Sequence, residues 1–159
     1  MRITKQIIIG TVGALVMGLL LHLVLPALLG VLLAGGASGL TILDPLYAGD
    51  RVSTIWEVFG VFMAVQATLA LVFAPLSGGV IGWMANRWKS GWIFLTGPIA
   101  SLVVHGAGAI MILLLTGLLA GDSVGVILAT TIIIVLSIAP LIGLVSALLI
   151  YIFARDTNN

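Results

Sequence analysis

Residues 90–121 read SGWIFLTGPIASLVVHGAGAIMILLLTGLLAG, a stretch without a charged side chain. A helix needs about 20 apolar residues to cross the hydrocarbon core of a bilayer, and this stretch is longer than that. Three further uncharged runs, at 6–43, 58–86 and 123–154, also exceed this length. Because lipid offers the backbone no hydrogen-bond partner, each run must bond within itself, which predicts helix. The sequence therefore predicts an all-α fold, an integral membrane four-helix bundle.

The composition points to the same class of protein. Hydrophobic residues make up 62% of the chain, charged residues only 7%, and the mean hydropathy is +1.36. A soluble domain carries about 25% charged residues. The net charge of +1 gives no basic surface for nucleic acid, so no nucleic-acid partner is expected. The absence of cysteine excludes disulfides and cysteine-based metal sites.

The uncharged runs predict one transmembrane domain over 1–159, with helices at about 6–33, 55–83, 92–119 and 124–153 and an outer loop at 34–54. The first helix follows a basic start, as a secretory signal does. Its apolar stretch is far longer than the roughly 7–15 residues of a signal core, so we expect a retained transmembrane helix.

The basic residues are distributed unevenly between the two sides of this bundle. Cytoplasmic loops of membrane proteins carry an excess of lysine and arginine. In the predicted topology Arg51 lies on one side and all the other basic residues lie on the opposite side: Arg2, Lys5, Arg87, Lys89 and Arg155. This pattern predicts a multi-pass protein of the plasma membrane with both termini in the cytoplasm.

The two halves of the sequence resemble each other. Ala74-Pro75-Leu76-Ser77-Gly78 in the second predicted helix matches Ala139-Pro140-Leu141-Ile142-Gly143 in the fourth. In the first and third helices, two small residues and a histidine are spaced four residues apart: Ala14, Gly18 and His22, then Gly97, Ser101 and His105. We interpret 6–88 and 91–155 as two parallel copies of one hairpin, the first with a longer outer loop. Chance similarity is the alternative, because alanine, leucine and glycine are common throughout the chain.

These small residues and prolines have a structural interpretation. In lipid, helices associate chiefly through close van der Waals contact, which small side chains permit. We therefore assign helix packing to Ala14, Gly18, Gly97 and Ser101. A proline inside a helix removes a backbone donor, so Pro75 and Pro140 are expected to kink the second and fourth helices.

His22 and His105 are the only ionisable side chains well inside the predicted spans, since Glu57 and Tyr151 lie near span ends, and the two histidines lie at similar depth. Ionisable residues inside a membrane are functional candidates by default. Two histidines facing each other across a bundle match bis-histidine ligation of haem b, which makes an electron-transfer subunit one hypothesis. The alternative is that each neutral histidine only hydrogen-bonds to a neighbouring helix. Zinc usually takes three or four strong ligands, so no metal site is predicted.

Gln66 is the other conspicuous polar residue of the spans, and Thr131 is its counterpart in the repeat. An interhelical hydrogen bond is the ordinary role for such a glutamine, while a small-solute channel or carrier lined by Gln66 and the two prolines is a further alternative. The sequence holds no catalytic motif. We therefore predict a non-enzymatic accessory or assembly subunit of a larger membrane complex or a homo-oligomer, whose partners are the lipid bilayer and other membrane subunits.

Overall fold

The computed structural model of the chain describes residues 2–28, 59–87, 92–117 and 124–153. These residues form four helices and, in those ranges, no strand. Each helix contains a span long and apolar enough to cross a membrane. The all-α class and the multi-pass membrane character predicted from the sequence are thereby confirmed. The predicted outer loop 34–54 lies outside the described residues.

Helix α1 occupies residues 2–28 and changes its winding along its length. It is α-helical over Arg2–Gly18 and π-helical over Leu19–Val24, and it returns to α-helix as far as residue 28. In the π-helical segment the bonds span five residues, as from the Leu25 N–H to the Leu20 carbonyl. Pro26 follows this segment by two residues and has no N–H to give to the carbonyl of His22, four residues earlier.

Helix α2 occupies residues 59–87 and has the same irregularity. Its π-helical segment is Leu69–Phe73, and an α-helix, Ala74–Arg87, completes it. Pro75 again lies two residues after the π-helical segment, and it has no N–H to donate to the carbonyl of Leu71. The wider π turn gives the proline ring room against the preceding turn, so each irregularity has a local cause in the sequence.

Helices α3, Ile93–Gly117, and α4, Val124–Phe153, are α-helical throughout. Pro98 lies in the second turn of α3 and has no N–H to donate to the carbonyl of Phe94, four residues earlier. Pro140 lies in the middle of α4 without a π-helical segment. Pro75 and Pro140, which match in sequence, thus have different effects on their helices.

The helices pack in an antiparallel order, with α1 chiefly against α2 and α3 chiefly against α4. Glycines allow the backbones to touch. A Cβ atom added to Gly78 would collide with the carbonyl oxygen of Gly10, and one added to Gly143 would collide with that of Gly97. The helix α2 extends to Arg87, beyond the end near residue 83 expected from the sequence, because its glycine-rich last turns pack on α1 and stay helical.

The largest apolar cluster of the core draws on α2, α3 and α4. Phe73 is its bulkiest member, and its ring lies where a Cβ atom on Gly108 would be. The other buried residues of the cluster are Val65, Leu69, Ala109, Ile112, Val135 and Ala139.

Candidate functional site: a buried histidine pair

His22 and His105 meet in the core of the bundle. Their rings stack with centroids 5.4 Å apart and planes inclined by 12°. Both side chains are fully buried. His22 comes from the π-helical segment of α1, and π-helical turns are often found at functional sites. The structure therefore brings together the two ionisable side chains that the sequence singled out.

Gln66 holds the first histidine. The Nδ1–H of His22 donates to the Oε1 atom of Gln66 across the α1–α2 interface, at 2.7 Å. Gln66 is itself fully buried. Because Nδ1 carries the proton in this bond, the Nε2 atom of neutral His22 has a free lone pair.

The second histidine is held by its own helix. The Nδ1–H of His105 donates to the backbone carbonyl of Ser101 at 2.9 Å, and the Ser101 hydroxyl oxygen lies 3.3 Å from the same nitrogen. A carbonyl can only accept, so this bond places the proton of neutral His105 on Nδ1. The Nε2 atom of His105 therefore also presents a lone pair.

Several polar atoms of this region have no hydrogen-bond partner in the described part of the chain. They include Nε2 of both histidines, Nε2 of Gln66 and Oγ1 of Thr131. Thr131 is fully buried like the others. Leaving a buried polar group unpaired costs about 1–3 kcal/mol. Such groups in a native core commonly bind water or another small polar species.

The chemistry offered by the site is that of two hydrogen-bond acceptors beside a donor. The histidine Nε2 atoms accept, whereas the amide of Gln66 donates. Histidine exchanges protons near neutral pH more readily than any other side chain. The arrangement can therefore hold small polar species, water first among them.

Haem ligation does not fit the rings as they are placed. Two axial histidines approach the iron end-on from opposite faces of the porphyrin, with each Nε2 directed at the metal. Here the rings lie face to face, so both would have to turn before a porphyrin could enter. Haem b bound by His22 and His105 stays a prediction from the sequence. Its test is a reduced-minus-oxidised absorption spectrum of protein from native membranes, in which sharp α and β bands would indicate haem.

Metal ligation by the same pair has little support within the described ranges. No group of three or more histidine, cysteine, aspartate or glutamate side chains that could hold a metal occurs there.

The residues assigned to helix packing lie at interfaces between helices. The side chain of Ala14 lies where a Cβ atom on Gly78 would be, and Gly18 faces Ala70 and Ala74 of α2 in the same way. Gly97 packs on α4, where its added Cβ would lie 3.0 Å from the carbonyl oxygen of Gly143. Ser101 is buried and faces His105, so it belongs to the polar site as well as to the interface. Of the two prolines, Pro75 is half-buried beside the π turn and Pro140 half-buried within α4.

Sequence reasoning missed one contact of the site and two further buried polar side chains. Gln66 was recognised as polar, but its pairing with His22 was not predicted, because the register between α1 and α2 depends on glycine contacts. Gln6 and Ser146, both buried with an unpartnered oxygen, were not singled out at all. Their polarity among apolar neighbours was the one available signal.

No protein-family model matches the chain, and neither does any curated protein or any solved structure. The fold and the site therefore define only a class, a multi-pass helical membrane protein with a buried polar core.

Proposed function

We propose that this chain passes protons through its own bundle, with the stacked histidines as the central exchange point. The proposal belongs to the small-solute channel class considered from the sequence. The observation that supports it is a series of buried polar side-chain atoms that have no hydrogen-bond partner among the described residues and lie at successive depths of the core. Polar and ionisable groups inside membranes are typical of proton and ion pathways.

The series occupies successive depths of the bundle. Gln6 lies near the end of α1 that carries Lys5, and Ser146 lies further along the core on α4. The histidine pair and Thr131 lie beyond them, towards the opposite end. The Oε1 atom of Gln6 and the Oγ atom of Ser146 are unpartnered, as are the atoms at the histidines. Each of these atoms offers a water a hydrogen bond. Gln6 and His22 are 16 residues apart on α1, about 24 Å of helix, so the pathway requires further waters between those bound at the two ends.

A proton can cross His105 without any change of backbone. A protonated water gives its proton to the free Nε2 atom, and the ring becomes imidazolium. The Nδ1 proton then leaves for the nearby hydroxyl oxygen of Ser101, which releases its own proton to the next water. The starting tautomer returns when bound water carries the Nε2 proton back to Nδ1, because a turn of the ring does not change which nitrogen is protonated. This two-sided exchange is characteristic of histidine in proton shuttles.

The test is proton flux into liposomes that contain the purified protein, driven by a potassium diffusion potential and followed with a trapped pH dye. We expect the wild-type protein to conduct and His105→Phe, which keeps a ring for stacking, to lose on the order of a hundredfold, the scale of losing one positioned proton-transfer group. Ser137→Ala is the matched control, because the exposed Ser137 bonds only to its own helix at Ile133.

Two results would overturn the proposal. One is that liposomes with the wild-type protein are as proton-tight as empty ones, and the other is that His105→Phe conducts as well as Ser137→Ala. The variants must first show the helicity and melting temperature of the wild-type protein, so that a loss of flux is not mistaken for a loss of the fold.

We also propose that the bundle is a parallel repeat with both termini in the cytoplasm. Lys5 and Arg87 share one end of the bundle, where the exposed indoles of Trp83 and Trp92 also lie, as expected for a cytoplasmic interface. Gly78 and Gly143 occupy matching places after the matching prolines, and each is in backbone contact with the preceding helix. Single cysteines introduced at either end and labelled with an impermeant reagent test the orientation.

The accessory or assembly role predicted from the sequence concerns partners and stays a prediction. A larger complex that is recovered with the protein at fixed stoichiometry from native membranes would support it. A protein that conducts protons alone in liposomes needs no such partner for that activity.

A further inference from the structure

A groove lies on the outside of the bundle between α1 and α2. Its volume is about 640 Å³, and it is lined mainly by α2, from Leu71 through Pro75 and Gly79 to Trp83, with Thr11 contributed by α1. From Leu71 to Trp83 the helix rises about 18 Å, close to the roughly 15 Å thickness of one leaflet of hydrocarbon. The groove thus has the length and the apolar character of a lipid chain.

The groove ends at a cation. The guanidinium carbon of Arg87 lies 4.5 Å from the ring centroid of Trp83, the last residue of the lining. Lys5 is exposed at the same end of the bundle. The next residue, Gln6, packs against α2, because its carbonyl oxygen lies 2.5 Å from the position of a Cβ atom added to Gly82. The described residues include no carboxylate, so in that part of the chain nothing acidic neutralises Arg87. The exposed head of the groove therefore suits an anion.

Small residues of the first hairpin open this groove. In the proposed repeat the positions of Thr11 and Gly79 correspond to Phe94 and Leu144. Phe94 packs edge-on against Tyr151, with ring centroids 5.4 Å apart. Large side chains thus stand in the second hairpin where small ones leave the groove open in the first, so the proline motif alone does not create it.

We propose that this groove binds one anionic phospholipid, with an acyl chain between α1 and α2 and the phosphate at Arg87. The apolar lining fits the chain, and the cation stacked on Trp83 fits the headgroup, which distinguishes a lipid from a purely apolar occupant. Basic side chains at the membrane surface attract anionic lipids in this way. The site is separate from the histidine pair and does not depend on the proposed proton pathway.

The test uses brominated phosphatidylglycerol and brominated phosphatidylcholine, which quench a nearby indole, on a chain whose only tryptophan is Trp83 (the others, Trp56, Trp88 and Trp92, replaced by phenylalanine). We expect phosphatidylglycerol to be preferred about fivefold, the effect of one basic residue at the membrane surface. Arg87→Gln should abolish the preference, whereas Arg155→Gln, which removes the same charge elsewhere in the chain, should leave it intact.

Gly79→Leu places in the groove the residue found at the matching position of the second hairpin. This variant should reduce quenching by both lipids, because the acyl chain of the lipid no longer fits in the groove. Equal quenching by the two lipids in the parent chain, or an unchanged preference in Arg87→Gln, would overturn the proposal. A third result would also overturn it: the protein is a dimer, and Gly79→Leu dissociates the dimer without changing the lipid preference. The groove would then hold a helix of a second copy of the chain.

Discussion

Replacing Gly78 by alanine is expected to lower the free energy of unfolding by about 3 kcal/mol, at the upper end of the cost of overpacking a core. The added methyl group would collide with the carbonyl oxygen of Gly10 and with the side chain of Ala14. These are backbone and short side-chain atoms of α1, so no rotamer change can relieve the contact. The two helices must move apart, and the neighbouring contacts between α1 and α2 weaken with them.

The measurement is reversible unfolding of the purified protein by SDS in mixed micelles. Gly106→Ala is the matched control, because a Cβ atom there meets nothing within 4 Å. That control should be neutral, or more stable by up to about 1 kcal/mol, since alanine favours helix over glycine. If Gly78→Ala and Gly106→Ala unfold alike, the close approach of α1 and α2 is wrong.

Replacing Gln66 by leucine is expected to cost about 2 kcal/mol, within the usual range for leaving a buried polar partner unpaired. Leucine is of similar size, so the core stays filled, but the Nδ1–H of His22 loses its acceptor. Interhelical hydrogen bonds in membrane proteins are worth only about 0.6 kcal/mol on average. The larger value is expected here because His22 is fully buried and lipid cannot replace the amide.

A double-mutant cycle separates the bond from its surroundings. His22→Phe combined with Gln66→Leu removes both partners, so the double variant should be less destabilised than the sum of the two single variants. Thr68→Val is the control, because the half-buried Thr68 bonds only to the carbonyl of Ala64 in its own helix. Additive effects of the two single substitutions would show that His22 and Gln66 do not interact.

Much of the architecture was accessible from the sequence because lipid imposes simple rules. Uncharged runs such as 90–121 have no stable form in a bilayer other than helix, so the all-α class followed directly. The depth of His22 and His105 followed from counting residues along each span. Their stacking in the structure agrees with that count.

The details of the site were less accessible because they depend on contacts between helices. Whether Gln66 faces His22 or lipid is decided by how far α1 and α2 slide along each other, which Gly10 and Gly78 set through backbone contact. The orientation of the two imidazole rings is harder still to predict from the sequence. Stacked and end-on imidazoles have the same positions in the sequence, so the pattern that suggested haem could not distinguish between them.

The π-helical segments have a consequence for how the chain tolerates changes of length. A π turn accommodates one residue more than an α turn while the helix on either side keeps its phase. Removing one residue within Leu19–Val24 or Leu69–Phe73 would close the turn to α-helix and leave both flanking faces aligned. The same deletion in the regular helix Ile93–Gly117 would rotate everything beyond it by about 100° and turn core residues towards lipid. The first hairpin can therefore lose a residue within its π-helical segments, whereas the regular helix of the second hairpin cannot do so without turning its core face away.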